Sequence, residues 1–208
     1  ISLIKIAQSL DFKKFLIMPP AYYNYGDLEV VNFYSKIVEQ VKDCKIILYN
    51  FEKLCGYKFS KECVETLVKK FPNQIVGIKD SSYNLYDKLK LKNFSILPGS
   101  ETKLLEGLKI GCSGIITATC NVTAELSRKV YDDFHKNREQ TFNEKLCSIR
   151  KVFDKFNLIS ALHTICSEND KDFEYILPSL RLLNEKEKKL LYSDLEKIDF
   201  NIKNLKAA

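Results

Sequence analysis

The sequence predicts an α/β fold built on a parallel sheet, and three observations predict it. Short apolar runs alternate with amphipathic stretches along the first 121 of 208 residues. The runs are rich in Ile, Leu and Val, as strands covered on both faces are, and the stretches between them carry helical periodicity. Polar residues close each run where a strand would hand over to a loop.

Taken in order, the predicted strands are Phe15 to Met18, Lys45 to Tyr49, Gln74 to Lys79, Phe94 to Leu97 and Gly114 to Ala118. Helical patterns fill the intervals at Leu28 to Val41, Ser60 to Phe71, Leu85 to Leu91 and Thr102 to Ile110, with Asp27 and Ser60 as cap-type residues. After Asn121 the strand signal stops. Helical stretches then run through Ala124 to Lys136, Glu139 to Phe156, Leu158 to Cys166 and Glu185 to Ile198. The expected organisation is a strand-and-helix part over 1–121 and a helical part over 122–208.

Such a series suits either an open doubly wound sheet or a (β/α)8 barrel, and periodicity alone does not separate them. Gly99, Gly111 and Gly114 do not form the glycine-rich phosphate loop of a nucleotide-binding sheet, and there is no Walker sequence. That favours the barrel, of which five strands, the last five, would be present here, followed by a helical extension. The chain opens on Ile1 in what reads as the end of a helix, and its one methionine, Met18, lies inside an apolar run. The expectation is therefore a longer protein whose first strands precede this sequence.

Composition narrows the function classes. With 45% hydrophobic and 29% charged residues the chain can bury a core, and disorder is not expected. The net charge of +6 is spread over lysines interleaved with acidic and apolar residues, without an arginine-rich patch, so a nucleic-acid partner is not expected. No apolar run has the length of a membrane span. Seven cysteines, an odd count without a Cys-x-x-Cys pair, fit a reducing cytoplasm. His135 and His163 lack ligand spacing, so no metal site is expected.

In a barrel the chemistry sits at the C-terminal ends of strands. Lys79 closes the run Ile75-Val76-Gly77-Ile78, and Gly77 would leave space beneath it. A lysine in an apolar interior loses the solvation of its ammonium, which makes a neutral, nucleophilic amine accessible for attack on a ketone. The structural alternative is a lysine reaching from the sheet edge to water. Tyr49 ends the preceding strand 30 positions earlier, about one βαβ unit away. Adjacent strands lie about 4.8 Å apart, so a phenol there could move protons for the amine. The loop Pro19-Pro20-Ala21-Tyr22-Tyr23-Asn24 places Tyr23 as a possible relay, and Gly99-Ser100-Glu101 and Thr117-Ala118-Thr119 offer polar groups to an oxygen-rich substrate. Packing, turn and cap roles are the alternatives for each.

Together these residues resemble the dihydrodipicolinate synthase and N-acetylneuraminate lyase family. The resemblance is carried by Tyr22-Tyr23-Asn24, Leu48-Tyr49-Asn50, Gly77-Ile78-Lys79-Asp80-Ser81-Ser82, Gly99-Ser100-Glu101 and Gly114-Ile115-Ile116-Thr117, and continues more weakly at Leu177-Pro178-Ser179-Leu180. It implies a (β/α)8 barrel with a helical C-terminal extension, assembled into dimers or tetramers, and no cofactor beyond the lysine. It implies that Lys79 forms a Schiff base with pyruvate or another 2-keto acid, that Tyr49 shuttles protons, and that Tyr23 relays them, in some members across a subunit interface. Ser81, Gly99, Glu101, Ile116 and Thr117 would line the substrate site.

Two departures bear on activity. The family's Gly-Thr-Thr type loop, which holds the pyruvate carboxylate, is not in this sequence. Leu54 stands where the synthase branch has the arginine that grips its aldehyde's carboxylate, with Lys53 beside it. The resemblance thus favours an aldolase or lyase acting on a 2-keto sugar acid. The alternatives are dihydrodipicolinate synthase, condensing pyruvate with aspartate semialdehyde, and a non-catalytic scaffold or inactive fragment.

Overall fold

A computed structural model describes residues 1–41 and 43–201. The chain divides into two compact units, each with its own core: Ile1–Gly99 with Gly107–Ile115, and Ser100–Glu106 with the chain from Ile116 onward.

The first unit opens with helix α1 (Ser2–Ser9) and strand β1 (Lys14–Ile17). Helix α2 (Asp27–Gln40), strand β2 (Lys45–Asn50), the short helix α3 (Glu52–Cys55), helix α4 (Lys61–Lys70), and strands β3 (Ile75–Asp80) and β4 (Ser95–Pro98) follow. The four strands form one parallel sheet in the order β1-β2-β3-β4. Each new strand joins the same edge, as in a barrel, whereas a doubly wound sheet reverses direction partway. The register of β2 on β3 shifts after Ile46, which pairs with Ile75, so that Ile47 pairs with Gly77. This bulge brings Tyr49 level with Lys79 and Asn50 level with Asp80; an unbroken register would have set Tyr49 opposite Ile78.

Apolar side chains from α2 (Val30, Tyr34, Val38) and α4 (Val64, Leu67) join those of β2 (Ile46, Leu48) and β3 (Ile75, Ile78) in the core. Tyr34 is fully buried, and its hydroxyl donates to the carbonyl of Ile17 at 2.7 Å, which removes the cost of an orphaned phenol. Ser60 caps α4 by accepting from the Cys63 N–H at 2.9 Å. Gly26, not Asp27, is the N-cap of α2, and the Glu29 side chain takes the Gly26 N–H at 2.9 Å. The Asp27 carboxylate instead accepts hydrogen bonds from Tyr57 and Ser60.

Three expectations need correction. The stretch Gly114 to Ala118 is not a strand. Among the described residues it makes no strand pairing with β4; Ser113 N–H donates to Ile96 O at 2.9 Å, and the next residue, Gly114, takes φ 144°. The stretch Leu85 to Leu91 is not a helix: the chain leaves β3 in a turn whose Tyr83, Leu85 and Tyr86 N–H groups the Asp80 carboxylate accepts. A single turn closed on Leu85 O remains, enough to bury Leu85 and Leu89. Gly77, finally, serves the sheet: a Cβ there would lie 2.7 Å from Ser95 O, its partner in the ladder.

Helix α5 (Leu104–Lys109) spans the division in sequence. The second unit is helical, with α6 (Cys120–His135), α7 (Asn143–Phe153), α8 (Leu158–Cys166) and α9 (Glu185–Glu196). Its core joins Ile149 and Phe153 of α7, Ala161 and Ile165 of α8, and Leu191 and Leu195 of α9. Asn157 caps α8, and Asn184 with Glu187 closes a reciprocal capping box on α9, at 2.9 and 2.8 Å. His163 is structural, with Nδ1 2.8 Å from Phe173 O.

Replacing Gly77 by alanine would force β3 and β4 apart. The Gly77→Ala variant is expected to lose about 1–3 kcal/mol of stability, read from its urea-unfolding midpoint; an unchanged midpoint would contradict the close approach.

Candidate active site

The ends of β2 and β3 carry the first group of candidate residues. The Lys79 ammonium lies over the Tyr49 ring, 4.2 Å from its centroid, in the geometry of a cation held by an aromatic face. Lys79 is half-buried. Burial pushes the Tyr49 phenol above its ordinary pKa, and the polar Ser81 side chain works the other way.

One residue beyond this pair, Asn50 and Asp80 are both fully buried. Asn50 Nδ2 donates to Asp80 Oδ1 and to Asn84 Oδ1, each at 2.8 Å, while Asn50 Oδ1 accepts from Phe59 N–H at 3.1 Å. Asp80 Oδ1 also accepts from Tyr83 N–H at 2.9 Å, and Oδ2 from Leu85 and Tyr86 N–H at 2.8 Å each. A carboxylate with four donors can be buried at tolerable cost, and here it locks the two strand ends together. Sequence reasoning placed Asp80 at a strand end but not as the organiser of this turn.

Gly99 follows β4, and its N–H donates to Asp80 O at 3.1 Å. A Cβ on Gly99 would lie 2.1 Å from Ser81 Oγ, so the glycine leaves the space that the serine hydroxyl fills. The structure thus brings Lys79, Tyr49, Ser81 and Gly99 together on neighbouring strand ends. Tyr23 is turned to solvent, 67% exposed, with its ring edge-on to Tyr22 at 4.9 Å between centroids. Tyr22 is held at φ 89°, a left-handed conformation uncommon for a bulky residue. Leu54, on α3, is exposed.

The second group belongs to the helical unit. Glu101 is fully buried, and both of its oxygens are engaged. Oε1 accepts from Thr123 Oγ1 at 3.1 Å, and Oε2 from Thr117 Oγ1 at 3.0 Å and Arg150 Nη1 at 3.2 Å. The same Nη1 reaches Thr117 Oγ1 at 2.9 Å and Thr119 Oγ1 at 3.3 Å, while Nε bonds Asp154 at 2.8 Å. Burial alone would lower the Arg150 pKa, but the carboxylates of Asp154 and Glu101 carry it above its ordinary value. Ile116 and Thr117 are half-buried. Arg150 went unnoticed in the sequence; the available signal was an arginine among lysines on a helix whose neighbours, Ile149 and Val152, are core residues.

Among the described residues no group of three or more His, Cys, Asp or Glu side chains converges in the manner of a metal site, and no helix is long and apolar enough to cross a membrane.

The sequence profile of the dihydrodipicolinate synthetase family matches residues 1–198. The 4-hydroxy-tetrahydrodipicolinate synthase of Buchnera aphidicola subsp. Cinara cedri is 30% identical over 184 residues, covering 81% of this chain and 60% of that protein. A 2-dehydro-3-deoxy-D-gluconate/2-dehydro-3-deoxy-phosphogluconate aldolase of Picrophilus torridus is 25% identical over 142 residues, covering 66% and 52%. The chain thus spans between about half and three fifths of the length of these relatives. In fold it is similar to YagE, a prophage protein of the dihydrodipicolinic acid synthase family from E. coli K12 solved with pyruvate, with a TM-score of 0.84 at 20% identity over 96% of this chain and 71% of that one. It is similar also to a catalytic lysine mutant of the Ruminococcus gnavus sialic acid aldolase, with a TM-score of 0.82 at 17% identity over 95% and 68%. These likenesses give the fold class, a portion of a (β/α)8 barrel followed by a helical region.

Removing the Asp80 carboxylate would strand Asn50 and three backbone N–H groups in the interior. The Asp80→Ala variant is expected to lose roughly 3–5 kcal/mol in chemical denaturation; a loss below about 1 kcal/mol would show that the turn holds without it.

Proposed function

Since this chain belongs to the dihydrodipicolinate synthetase family, we propose that it is a Schiff-base aldolase or lyase that breaks or makes a carbon-carbon bond between pyruvate and an aldehyde. The observation that carries the proposal is the Lys79 amine held on the Tyr49 ring at strand ends in register. The substrate class is a 2-keto acid, with a 2-keto sugar acid preferred.

In the cleavage direction the Lys79 nitrogen attacks the C2 ketone, and the carbonyl oxygen leaves as water after two proton transfers. The resulting iminium draws in the electron pair of the breaking C3–C4 bond, which leaves an enamine on the lysine and releases the aldehyde. Tyr49, whose ring lies under the amine, moves the protons: its phenolate takes the C4 hydroxyl proton as the bond breaks and the C4–O–H pair becomes the aldehyde C=O. Protonation at C3 and hydrolysis then return pyruvate and free lysine. The iminium is itself the electron sink, so the sequence of steps calls for no further cofactor.

Glu101, Ile116 and Thr117 are assigned to the hydroxylated part of the substrate by the family resemblance. Thr117 and Arg150 share Glu101, so recognition of hydroxyls would involve this hydrogen-bonded set rather than a lone carboxylate. Tyr23, exposed on its loop, is suited to serve a neighbouring copy in a homo-oligomer. Seven free cysteines support a reducing, cytoplasmic setting.

A second reading, condensation of pyruvate with aspartate semialdehyde, is favoured by the 30% identity to the Buchnera synthase. Leu54 weighs against it, since an apolar side chain cannot grip a carboxylate as a guanidinium does.

Treatment of the intact protein with pyruvate and borohydride is expected to add one reduced pyruvyl group, mapped by peptide mass to Lys79 and lost in Lys79→Ala. A folded protein without the adduct would overturn the mechanism and favour a non-catalytic scaffold. With the adduct established, 2-keto sugar acids are expected to turn over and aspartate semialdehyde is not; turnover of the semialdehyde alone would reverse the assignment.

A further inference from the structure

We propose that Asn84 is a positioning residue for the aldehyde-accepting side of the site. With Asn50 it clasps the backbone of Phe59, and so closes the loop between β2 and α4 into a fixed wall beside Tyr49. The inference rests on the reading of Lys79 as the imine-forming residue and deepens it.

The loop leaves β2 directly after Tyr49 and Asn50, at the C-terminal end of the strand, where the loops of a barrel shape its site. Its first residue, Phe51, sets its ring 5.9 Å from that of Tyr49, centroid to centroid, and Tyr49 in turn receives the Lys79 ammonium. Helix α3 follows, a single turn closed by Gly56 at φ 75°, whose N–H donates to Glu52 O at 2.8 Å. Lys53 and Leu54 on this turn are exposed. One helical turn has little stability of its own, and the N-cap residue Phe51 offers it no side-chain hydrogen bond.

Contacts from outside the loop hold it instead. Ser82 Oγ accepts from Glu52 N–H at 3.0 Å, and the Tyr57 hydroxyl donates to Asp27 Oδ1 at 2.7 Å. At the far end both backbone groups of the fully buried Phe59 are taken: its N–H donates to Asn50 Oδ1 at 3.1 Å, and its carbonyl accepts from Asn84 Nδ2 at 3.0 Å. Asn84 Oδ1 accepts in turn from Asn50 Nδ2 at 2.8 Å, so two side-chain amides and Phe59 form a closed set of hydrogen bonds. The loop thus begins and ends on Asn50, and Asn84 completes the closure. A wall already ordered in this way draws nothing from the binding energy of a reactant. That reactant is the aldehyde: its oxygen exchanges a proton with Tyr49, against whose ring the loop packs, whereas the ketone carbon is bonded to Lys79. Asn84 itself makes no bond to substrate and acts through the loop.

The test follows condensation of pyruvate with glyceraldehyde and, separately, with aspartate semialdehyde by the intact protein, alongside borohydride trapping of pyruvate on Lys79. Glyceraldehyde is what a six-carbon 2-keto-3-deoxy acid leaves when it loses pyruvate. In Asn84→Ala the trapped adduct and the KM for pyruvate are expected to stay as they are. The KM for the aldehyde consumed is expected to rise roughly tenfold. Hydrogen exchange read by peptide mass should quicken over 51–59 while β2 and β3 keep their protection. Asn84→Asp retains an oxygen for Asn50 but has no donor for the Phe59 carbonyl, and is expected to behave as the alanine variant does.

An aldehyde KM unchanged in Asn84→Ala, or a normal one in Asn84→Asp, would overturn the proposal while leaving the Schiff base in place. Losses falling equally on trapping, pyruvate KM and aldehyde KM would also overturn it, by making Asn84 a residue of the fold alone. So would consumption of neither aldehyde by an unmodified protein that forms the adduct, since the wall would then border no accepting side. Absence of the adduct in the unmodified protein would instead bring down the Schiff-base reading, and this inference with it.

Discussion

The tip of the sheet depends on the bridge between Asn50 and Asp80. Both side chains are fully buried, and the six hydrogen bonds they make would each be costly to leave unmade. The bridge joins β2 to β3 one residue past Tyr49 and Lys79, so the two candidate catalytic side chains stand on strand ends that cannot drift apart. It also dictates the path of the chain beyond β3, because Asp80 gathers the amides of Tyr83, Leu85 and Tyr86 into a turn. Ser81, at the start of that turn, is thereby held against Gly99.

The two units bury a carboxylate by different means. Asp80 is satisfied by one side-chain amide and three backbone amides, a fixed arrangement that belongs to folding. Glu101 is satisfied by two threonine hydroxyls and the Arg150 guanidinium, groups that can rotate or exchange partners. A buried ion pair of this kind contributes little net stability, but losing one partner is costly, so Arg150 and Glu101 require each other. Their shared partner Thr117 donates to Glu101 and accepts from Arg150, which ties the three side chains together.

The first four predicted strands agree with the observed ones to within a residue at each end, as do the helices α2 and α4. Each has a strong local signal: a β-branched run for a strand, a cap and an amphipathic period for a helix. The failures lie where a local pattern does not decide the outcome. Leu85 to Leu91 has helical spacing, but only one turn of it, closed on Leu85 O, forms beyond the Asp80 turn. Gly114 to Ala118 is apolar like the other strands, yet a strand exists through its ladder, and among the described residues this stretch pairs with no strand. Arg150, 49 residues from Glu101, left no mark in a local window.

The sequence by itself determined the α/β class, the order of the elements and the residues at the strand ends, because periodicity and side-chain chemistry are properties of a few consecutive residues. Only the tertiary structure decided that Tyr49 stands level with Lys79, since that alignment follows from a one-residue bulge between β2 and β3. Only it decided, too, which partners the buried Asp80 and Glu101 take. Register is set by the packing of one strand on another, and a buried charge takes whichever donors the fold brings within reach; neither is written in the residues adjacent to it.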